Sequence, residues 1–439
     1  MEKSENGRIS MAYILYDTLL HLSLIVLLPY FLVRAFSSGK YLSGIQERFG
    51  LIDVGKLEGL KGEKVAWFHA VSVGETKAVM PLLKLFRERH PTVKIVFSTV
   101  TPTGGRVARK EGVSLIDSLI YFPLDLSWVS RRVIRRISPG IFITVEKEFW
   151  PNFFRILRTN SVPSVVVNGT ISERSFRRYR RYPRLFKDLF SALTFCARTE
   201  EDRERAIALG TPAKRCPAAG NLKFDMSPRS LDKEEMERLS SLMGIRPGER
   251  VLVAGSTHSG EERIFLDAFK KLKEEFRPLK LILAPRHPER TNEVETNVRA
   301  SGLSYVKRSA GAKGISHDVV ILDTLGELFL TYGISTVAFV GGTLVDSGGH
   351  NLLEPAFFGK PVLYGPYLKS YLYMAELLEK RGGGMRVKED TLVGALRKLL
   401  SSPDLREKMG MNAKRAVEEN RGATEKTVKV IEGLMGADF

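Results

Sequence analysis

The chain has 439 residues, long for one compact core, and a hydrophobic share of 43% that supplies material for two. Against 50 acidic residues stand 68 basic ones, a net charge of +18. This excess favours anionic partners, whether nucleic acid, acidic lipid head groups or phosphorylated substrates, without choosing among them. Cys196 and Cys216 have no C-x-x-C neighbour, and the seven histidines form no H-E-x-x-H, so neither a disulfide framework nor a protein-held metal is indicated.

Residues 11–36 are apolar except for Asp17, Thr18, His21, Ser23 and Arg34, with Pro29 inside. As a helix they would run about 39 Å, more than the roughly 30 Å hydrocarbon core of a bilayer. The length of the segment and the lack of a small-x-small site argue against a signal peptide. The expectation is a membrane anchor over 1–40 that either spans with tilt or lies in the interface, since Asp17 and Pro29 suit the bilayer centre poorly. Arg34, Lys40 and Arg48 follow, which points to a globular part on the cytoplasmic face of the inner membrane.

Short apolar runs then recur at 64–69, 93–99, 119–123, 141–145, 164–167 and 192–196, with charge-rich helical stretches between several of them. This alternation is the pattern of a doubly wound parallel sheet. Residues 225–250 are polar, hold Pro228 and Pro247, and read as a connection. A second series follows at 251–255, 279–284, 319–322, 336–341 and 362–364. The helix after Gly260 shows Ile264, Phe265, Ala268, Phe269 and Leu272 on one face. The expected organisation is a first Rossmann-like domain (41–230), a linker (231–250), a second such domain (251–415), and a helical tail (416–439) able to pack back on the first. The two domains would face a cleft.

Several stretches carry chemistry. Ser72-Val-Gly-Glu75 joins a strand to a helix. Glu75 is a base candidate at a sheet's carboxyl edge, but S-x-x-E also fits a capping box, and locally the cap is the stronger reading. Glu146 and Glu148 flank Lys147 at a strand end. On an extended strand they share a face, which suits either acid/base work or a solvated strand end. Six arginines from Arg174 to Arg184, including Arg177 and Arg178, alternate with aromatics against the single acid Glu173, a composition for phosphate or a membrane surface. Lys223 follows a Gly-Asn turn and taken alone reads as a solvated lysine. The loop 254–261 precedes a helix and offers backbone N–H groups to an anion, yet it is neither a Walker A loop nor G-x-G-x-x-G. Pro285-Arg286 ends a strand, where an arginine meets a phosphate well. The strongest run combines Gly341-Gly342-Thr343 with His350-Asn351-Leu352-Leu353-Glu354-Pro355. Its glycines permit close approach to a ligand, and a helix starting at Asn351 would aim N–H groups at a phosphate. Glu354 there suits ribose hydroxyls, or merely the helix dipole.

Taken in order, Ser72-Val-Gly-Glu75, Val145-Glu-Lys-Glu-Phe-Trp-Pro151, Gly220-Asn-Leu-Lys-Phe224, Pro285-Arg-His287, Asp323-Thr-Leu-Gly-Glu-Leu328, Gly341-Gly-Thr343 and His350-Asn-Leu-Leu-Glu-Pro355 resemble the 3-deoxy-D-manno-octulosonic acid (Kdo) transferases of lipopolysaccharide biosynthesis. Glu47-Arg-Phe-Gly50 after the apolar segment also fits. The resemblance implies a GT-B fold and an inverting, metal-independent, cofactor-free transfer of Kdo from CMP-Kdo to a lipid A precursor. It assigns Glu75 as general base, and Glu146 and Lys223 to transition-state stabilisation. It places CMP against Pro285, Arg286, Leu325, Gly326, Glu327 and Asn351 to Glu354, with Gly341 and Gly342 at the donor site. Arg174, with Arg177 and Arg178, would face the acceptor and an anionic membrane. One departure stands out: Asn168-Gly-Thr170 occupies the place where many family members have Asn-Ala-Arg. The helix dipole is expected to keep Glu75 ionised at some loss of basicity.

Two other classes of function compete. One is a GT-B enzyme handling UDP-sugars, either a transferase acting on a lipid-linked acceptor or an epimerase. The other is a basic membrane or RNA-binding protein using the arginine strip, but no RNA-binding motif is present and no nucleic acid is expected as partner.

Overall fold

A computed structural model of the chain describes residues 11–38, 44–226, 233–311 and 315–436, with the backbone alone for 27–38, 233 and 370. Parts of the expected anchor (1–10 and 39–40, with Lys40) and of the expected linker (231–232) lie outside the described residues, as do the side chains of Pro29 and Arg34. The chain divides into two compact units, 1–226 with 421–439, and 227–420.

Among the described residues the first unit holds six parallel strands: β1 (Val65–His69), β2 (Lys94–Thr99), β3 (Ser118–Tyr121), β4 (Ile141–Val145), β5 (Ser164–Gly169) and β6 (Thr194–Ala197). They lie in the order β3-β2-β1-β4-β5-β6. Every residue of β1 and β4 is buried, as a sheet covered on both faces requires. Alternate side chains enter opposite cores. Trp67 and Phe142 join one, with Phe122 and Phe153, while Phe68 and Ile143 join the other. The second core is closed by the C-terminal helix Ala423–Met435, whose Val428 and Ile431 pack with Val79 and Leu83 of the helix Val73–Arg89. Asp225 fixes the start of that closing helix by accepting from Gly422 N at 2.7 Å and Thr424 N at 2.5 Å.

Among the described residues the second unit has seven parallel strands: β7 (Arg250–Thr257), β8 (Leu279–Pro285), β9 (Tyr305–Lys307), β10 (Val319–Ile321), β11 (Val337–Val340), β12 (Val362–Tyr364) and β13 (Gly384–Arg386). Their order is β13-β12-β11-β7-β8-β10-β9. The edge strands β9 and β13 are absent from the sequence reading. Each is three residues long and only partly buried, so neither shows an apolar run. The stretch read as a linker carries the helix Lys233–Leu242. Leu239, Met243 and Ile245 are buried, so an apolar stripe inside a charge-rich segment binds it into the second unit.

The N-terminal helix is Met11–Ser38. Among the described residues no helix is long and apolar enough to cross a membrane, so a spanning anchor gains no support. The polar residues that interrupt the segment dock it instead. Asp17 accepts from Ser127 N at 3.0 Å, Ser127 Oγ at 2.7 Å and Asn152 Nδ2 at 2.8 Å. Tyr16 donates to the buried Asp125 at 2.9 Å, and Tyr13 donates to Asp188 at 3.0 Å. Ile14, Leu15, Leu19, Leu22, Ile25 and Val26 remain exposed. The Glu47-Arg-Phe-Gly50 run is likewise structural: Glu47 accepts from Tyr121 N at 2.7 Å, and the Arg48 guanidinium lies 5.0 Å from the Tyr121 ring centre while donating to Val100 O.

Candidate active site

In the first sheet the strand order reverses between β1 and β4, and in open parallel sheets ligands bind outside the carboxyl ends of the strands at that point. Glu75 follows β1 and Glu146 follows β4. Ser72 caps the helix Val73–Arg89, accepting from Glu75 N at 3.3 Å. Its hydroxyl donates to Glu75 Oε1 at 3.1 Å, and Val71 N donates to Oε2 at 2.8 Å. The cap is therefore real, yet it does not keep Glu75 a weak base. Burial raises its pKa to about 7, with the nearby Glu146 and Glu148 carboxylates adding to the rise against the hydrogen bonds from Val71 and Ser72. The dipole expectation fails because the carboxylate is buried beside like charge.

Glu146 and Glu148 do not sit on an extended strand. β4 ends at Val145, and Glu146 takes a left-handed backbone with φ 63°. Such a conformation is disfavoured for a residue with a Cβ and clusters at functional sites. The kink does not separate the charges: Glu148 is raised chiefly by burial, with Glu146 contributing. Glu146 Oε1 lies 3.2 Å from Lys223 Nζ and accepts from Asn168 Nδ2 at 3.4 Å. Asn168, also left-handed at φ 54°, accepts from Leu222 N at 3.0 Å through Oδ1 and so ties the Lys223 turn to β5. Lys223 is thus half of a largely buried ion pair. Sequence reasoning named Asn168 only within the Asn-Gly-Thr departure and gave it no role. Thr170, at the departure from the family pattern, donates to Asp202 at 3.0 Å and accepts from Arg198 at 3.0 Å.

Arg174, Arg177 and Arg178 lie exposed on the helix Glu173–Arg181. Arg177 donates to Glu173 at 2.8 Å, and Arg178 sits 5.3 Å from the Tyr179 ring centre.

In the second unit the order reverses between β7 and β11. Pro285 and Arg286 end and follow β8. Leu325, Gly326 and Glu327 lie in the loop after β10, and Asn351 to Glu354 in the connection after β11. All the strands are parallel, so these groups share the carboxyl edge. Arg286 and Leu325 are exposed, and Glu327 accepts from Arg308 at 2.7 Å. Leu352 and Leu353 are fully buried, so neither side chain is open to a ligand. The helix starts at Leu353 rather than Asn351, because Asn351 Oδ1 accepts from Leu353 N at 3.2 Å.

The glycine-rich loop is already occupied from within. Glu261 accepts from Gly342 N at 2.7 Å, Thr343 N at 3.0 Å, Leu344 N at 2.9 Å and His258 N at 2.9 Å. Of the 254–261 loop's own N–H groups, that of His258 is thus taken by the protein's own carboxylate, and the other three donors come from residues 342–344. Gly341 is required by close approach, since a Cβ there would lie 2.5 Å from Ser256 O. His258, His287 and His350, which lie within the quoted stretches but were given no role there, gather at the same edge.

Two doubly wound parallel sheets, each with polar side chains at its switch point, define a GT-B-like α/β protein. The UDP-GlcNAc 2-epimerase from Neisseria meningitidis shares that fold, with a TM-score of 0.59 at 14% identity over 84% of this chain and 100% of that one. The family follows from sequence. The family model for 3-deoxy-D-manno-octulosonic-acid transferase (kdotransferase) matches residues 43–226. The 3-deoxy-D-manno-octulosonic acid transferase of Haemophilus influenzae is 32% identical over 422 residues, covering 95% of this chain and 97% of the relative. That of Chlamydophila psittaci is 32% identical over 395 residues, 89% of each. The chain belongs to the Kdo transferase family, glycosyltransferases of lipopolysaccharide biosynthesis.

Proposed function

We propose that the protein transfers Kdo from CMP-Kdo to a lipid A precursor with inversion and without a metal, Glu75 acting as general base. The observation that carries this reading is the buried Glu75 carboxylate at the switch point, which burial and the charge of Glu146 push up to about 7. A base works best when its pKa lies near the working pH and it reaches the acceptor hydroxyl at about 2.6–3.2 Å. As the bond to CMP breaks, the ketose carbon gains oxocarbenium character. The Glu146–Lys223 pair would stabilise that charge separation. On the second unit, Arg286 and the loops at Leu325–Glu327 and Asn351–Glu354 would hold CMP, with Gly341 and Gly342 shaping the donor site.

The same reading places the protein on the cytoplasmic face of the inner membrane. The exposed apolar face of the helix Met11–Ser38 would lie in the interface, and Arg174, Arg177 and Arg178 would meet anionic lipid and the phosphorylated acceptor. Mass spectrometry of the lipid formed from CMP-Kdo and lipid A precursor by purified protein tests the proposal. A Kdo adduct is expected; transfer from UDP-sugars with none from CMP-Kdo would overturn it.

A further inference from the structure

His258 follows β7, and His350 stands in the connection after β11. These strands are neighbours on either side of the second sheet's order reversal, so both imidazoles sit where a ligand of that sheet is expected. Their Nε2 atoms are 2.9 Å apart, and the rings are stacked at 5.2 Å and 11°. The His287 ring meets His258 edge-on at 5.9 Å. Gly342, at φ 69°, seats the pair: a Cβ there would lie 3.1 Å from His350 Nε2 and 3.2 Å from His258 Cδ2.

Two imidazoles in contact through Nε2 share one proton, one nitrogen donating and the other accepting. One further proton, on Nδ1 of the donating ring, keeps that bond and adds a single charge; only protonation of both rings would set two N–H groups and two charges against each other. The surroundings oppose even the single charge. Burial and the nearby Arg286, His258 and His287 hold His350 down to about 3. Burial, His287, Arg290 and Arg286 lower His258, with Glu262 pulling the other way. The local carboxylates are already committed. Glu262 accepts from Arg290 at 2.9 and 3.2 Å and from Thr257 Oγ1 at 2.8 Å. Glu261 accepts from the backbone of His258 and Gly342 to Leu344. Beside the three imidazoles stands the exposed guanidinium of Arg286, a set whose natural counterpart is an external anion.

We infer that the His258–His350 pair receives the phosphate of a nucleoside phosphate and takes up a proton from solvent as it binds. The nucleotide's identity rests on the donor reading above; the proton rests on the histidine geometry. An anion against the pair supplies the missing counter-charge, so the bound state holds an imidazolium that the free state does not. By linkage, affinity is highest at low pH and falls as pH rises through the bound-state pKa, by at most about tenfold per unit.

The test is calorimetry of the full chain with cytidine 5′-monophosphate methyl ester in two buffers of different ionisation enthalpy near pH 6.5. This phosphodiester does not titrate there, so any proton taken up belongs to the protein. Uptake of about 0.3–1 proton per ligand is expected, with none in the double variant His258→Gln/His350→Gln. Ring 15N shifts of the wild-type histidines, recorded with and without ligand, give the same answer without a substitution. Binding with no uptake, or uptake unchanged in the double variant, overturns the inference and leaves the donor reading standing. Uptake with the uridine diester and no binding of the cytidine one supports the histidine pair and overturns CMP-Kdo as donor. Failure of every nucleotide diester to bind overturns both.

Discussion

Lys223 Nζ stands 3.2 Å from Glu146 Oε1, both side chains largely withdrawn from solvent, and the turn that carries Lys223 is tied to β5 by Asn168. A pair so placed couples the fold to the site. Lys223→Met leaves the Glu146 carboxylate without its cation, and breaking a buried pair from one side costs about 3 kcal/mol or more. Urea unfolding should show that loss, and transfer should fall with it. The double variant Glu146→Gln/Lys223→Met removes both charges. It should regain most of the stability and none of the turnover. A double variant as unstable as Lys223→Met would mean that the lysine acts through packing rather than through the pair.

Glu75→Gln separates the base from the cap, because glutamine keeps an oxygen that accepts the Val71 N–H. Transfer should drop roughly 10²–10⁴-fold. In the wild type, kcat/KM should climb as pH passes about 7, where Glu75 ionises. Stability should move the opposite way. The folded-state pKa lies above the ordinary 4.5, so the folded state binds the proton more tightly. Below about pH 4 the residue is protonated in both states and the variant matches wild type. From there to about pH 7 the wild type loses stability as pH rises, and the variant does not. Above that the gap levels off near ~3 kcal/mol. Denaturant melts at pH 4 and pH 8 check this, and equal gaps at both pH values would contradict it.

The centres of both sheets were legible from sequence because buried parallel strands read as unbroken apolar runs, as in Val65–His69 and Ile141–Val145. The edge strands β9 and β13 were not, having no buried run to show. At the site, the local pattern gave Ser72 and Glu75 their cap and could not give Glu75 its basicity. That depends on burial and on Glu146, which arrives from another strand. For the same reason Lys223 looked like a surface turn lysine. The three histidines come from three separate loops with no common spacing. Glu261 closed the 254–261 loop at a helix start, and nothing in its spacing shows that its carboxylate takes the N–H groups of Gly342, Thr343 and Leu344.

Removing that carboxylate tests the last point. Glu261→Ala leaves the N–H groups of Gly342 and Thr343 buried without an acceptor, at ~1–3 kcal/mol for each. Thermal unfolding should register a loss of about 3–5 kcal/mol, large for one substitution. Nucleotide affinity should fall with it, because Gly342 seats the His258–His350 pair. Glu261→Gln should fall between, since its amide nitrogen faces donors. If Glu261→Ala is as stable as wild type, the loop does not depend on the buried carboxylate.

The exposed residues Ile14, Leu15, Leu19, Leu22, Ile25 and Val26 recur at helical spacing, while Tyr13, Tyr16 and Asp17 dock the same helix to the first unit. Docking by one face and apolar exposure on the other suit a helix lying in a membrane interface. Leu15→Glu/Leu19→Glu changes only the exposed face, so unfolding should be close to wild type. Each leucine returned to lipid is worth about 1.5–3 kcal/mol when fully buried. Binding to vesicles of phosphatidylcholine with phosphatidylglycerol, followed by sedimentation, should therefore fall at least about tenfold. Arg177→Glu/Arg178→Glu should instead weaken the salt-sensitive part, by ~1 kcal/mol or more per arginine near an anionic surface. Salt should abolish the difference between that variant and wild type and should not rescue the leucine variant, whose deficit is apolar. Vesicle binding unchanged by the leucine pair would remove this helix from the membrane contact and leave the arginine face to carry it alone.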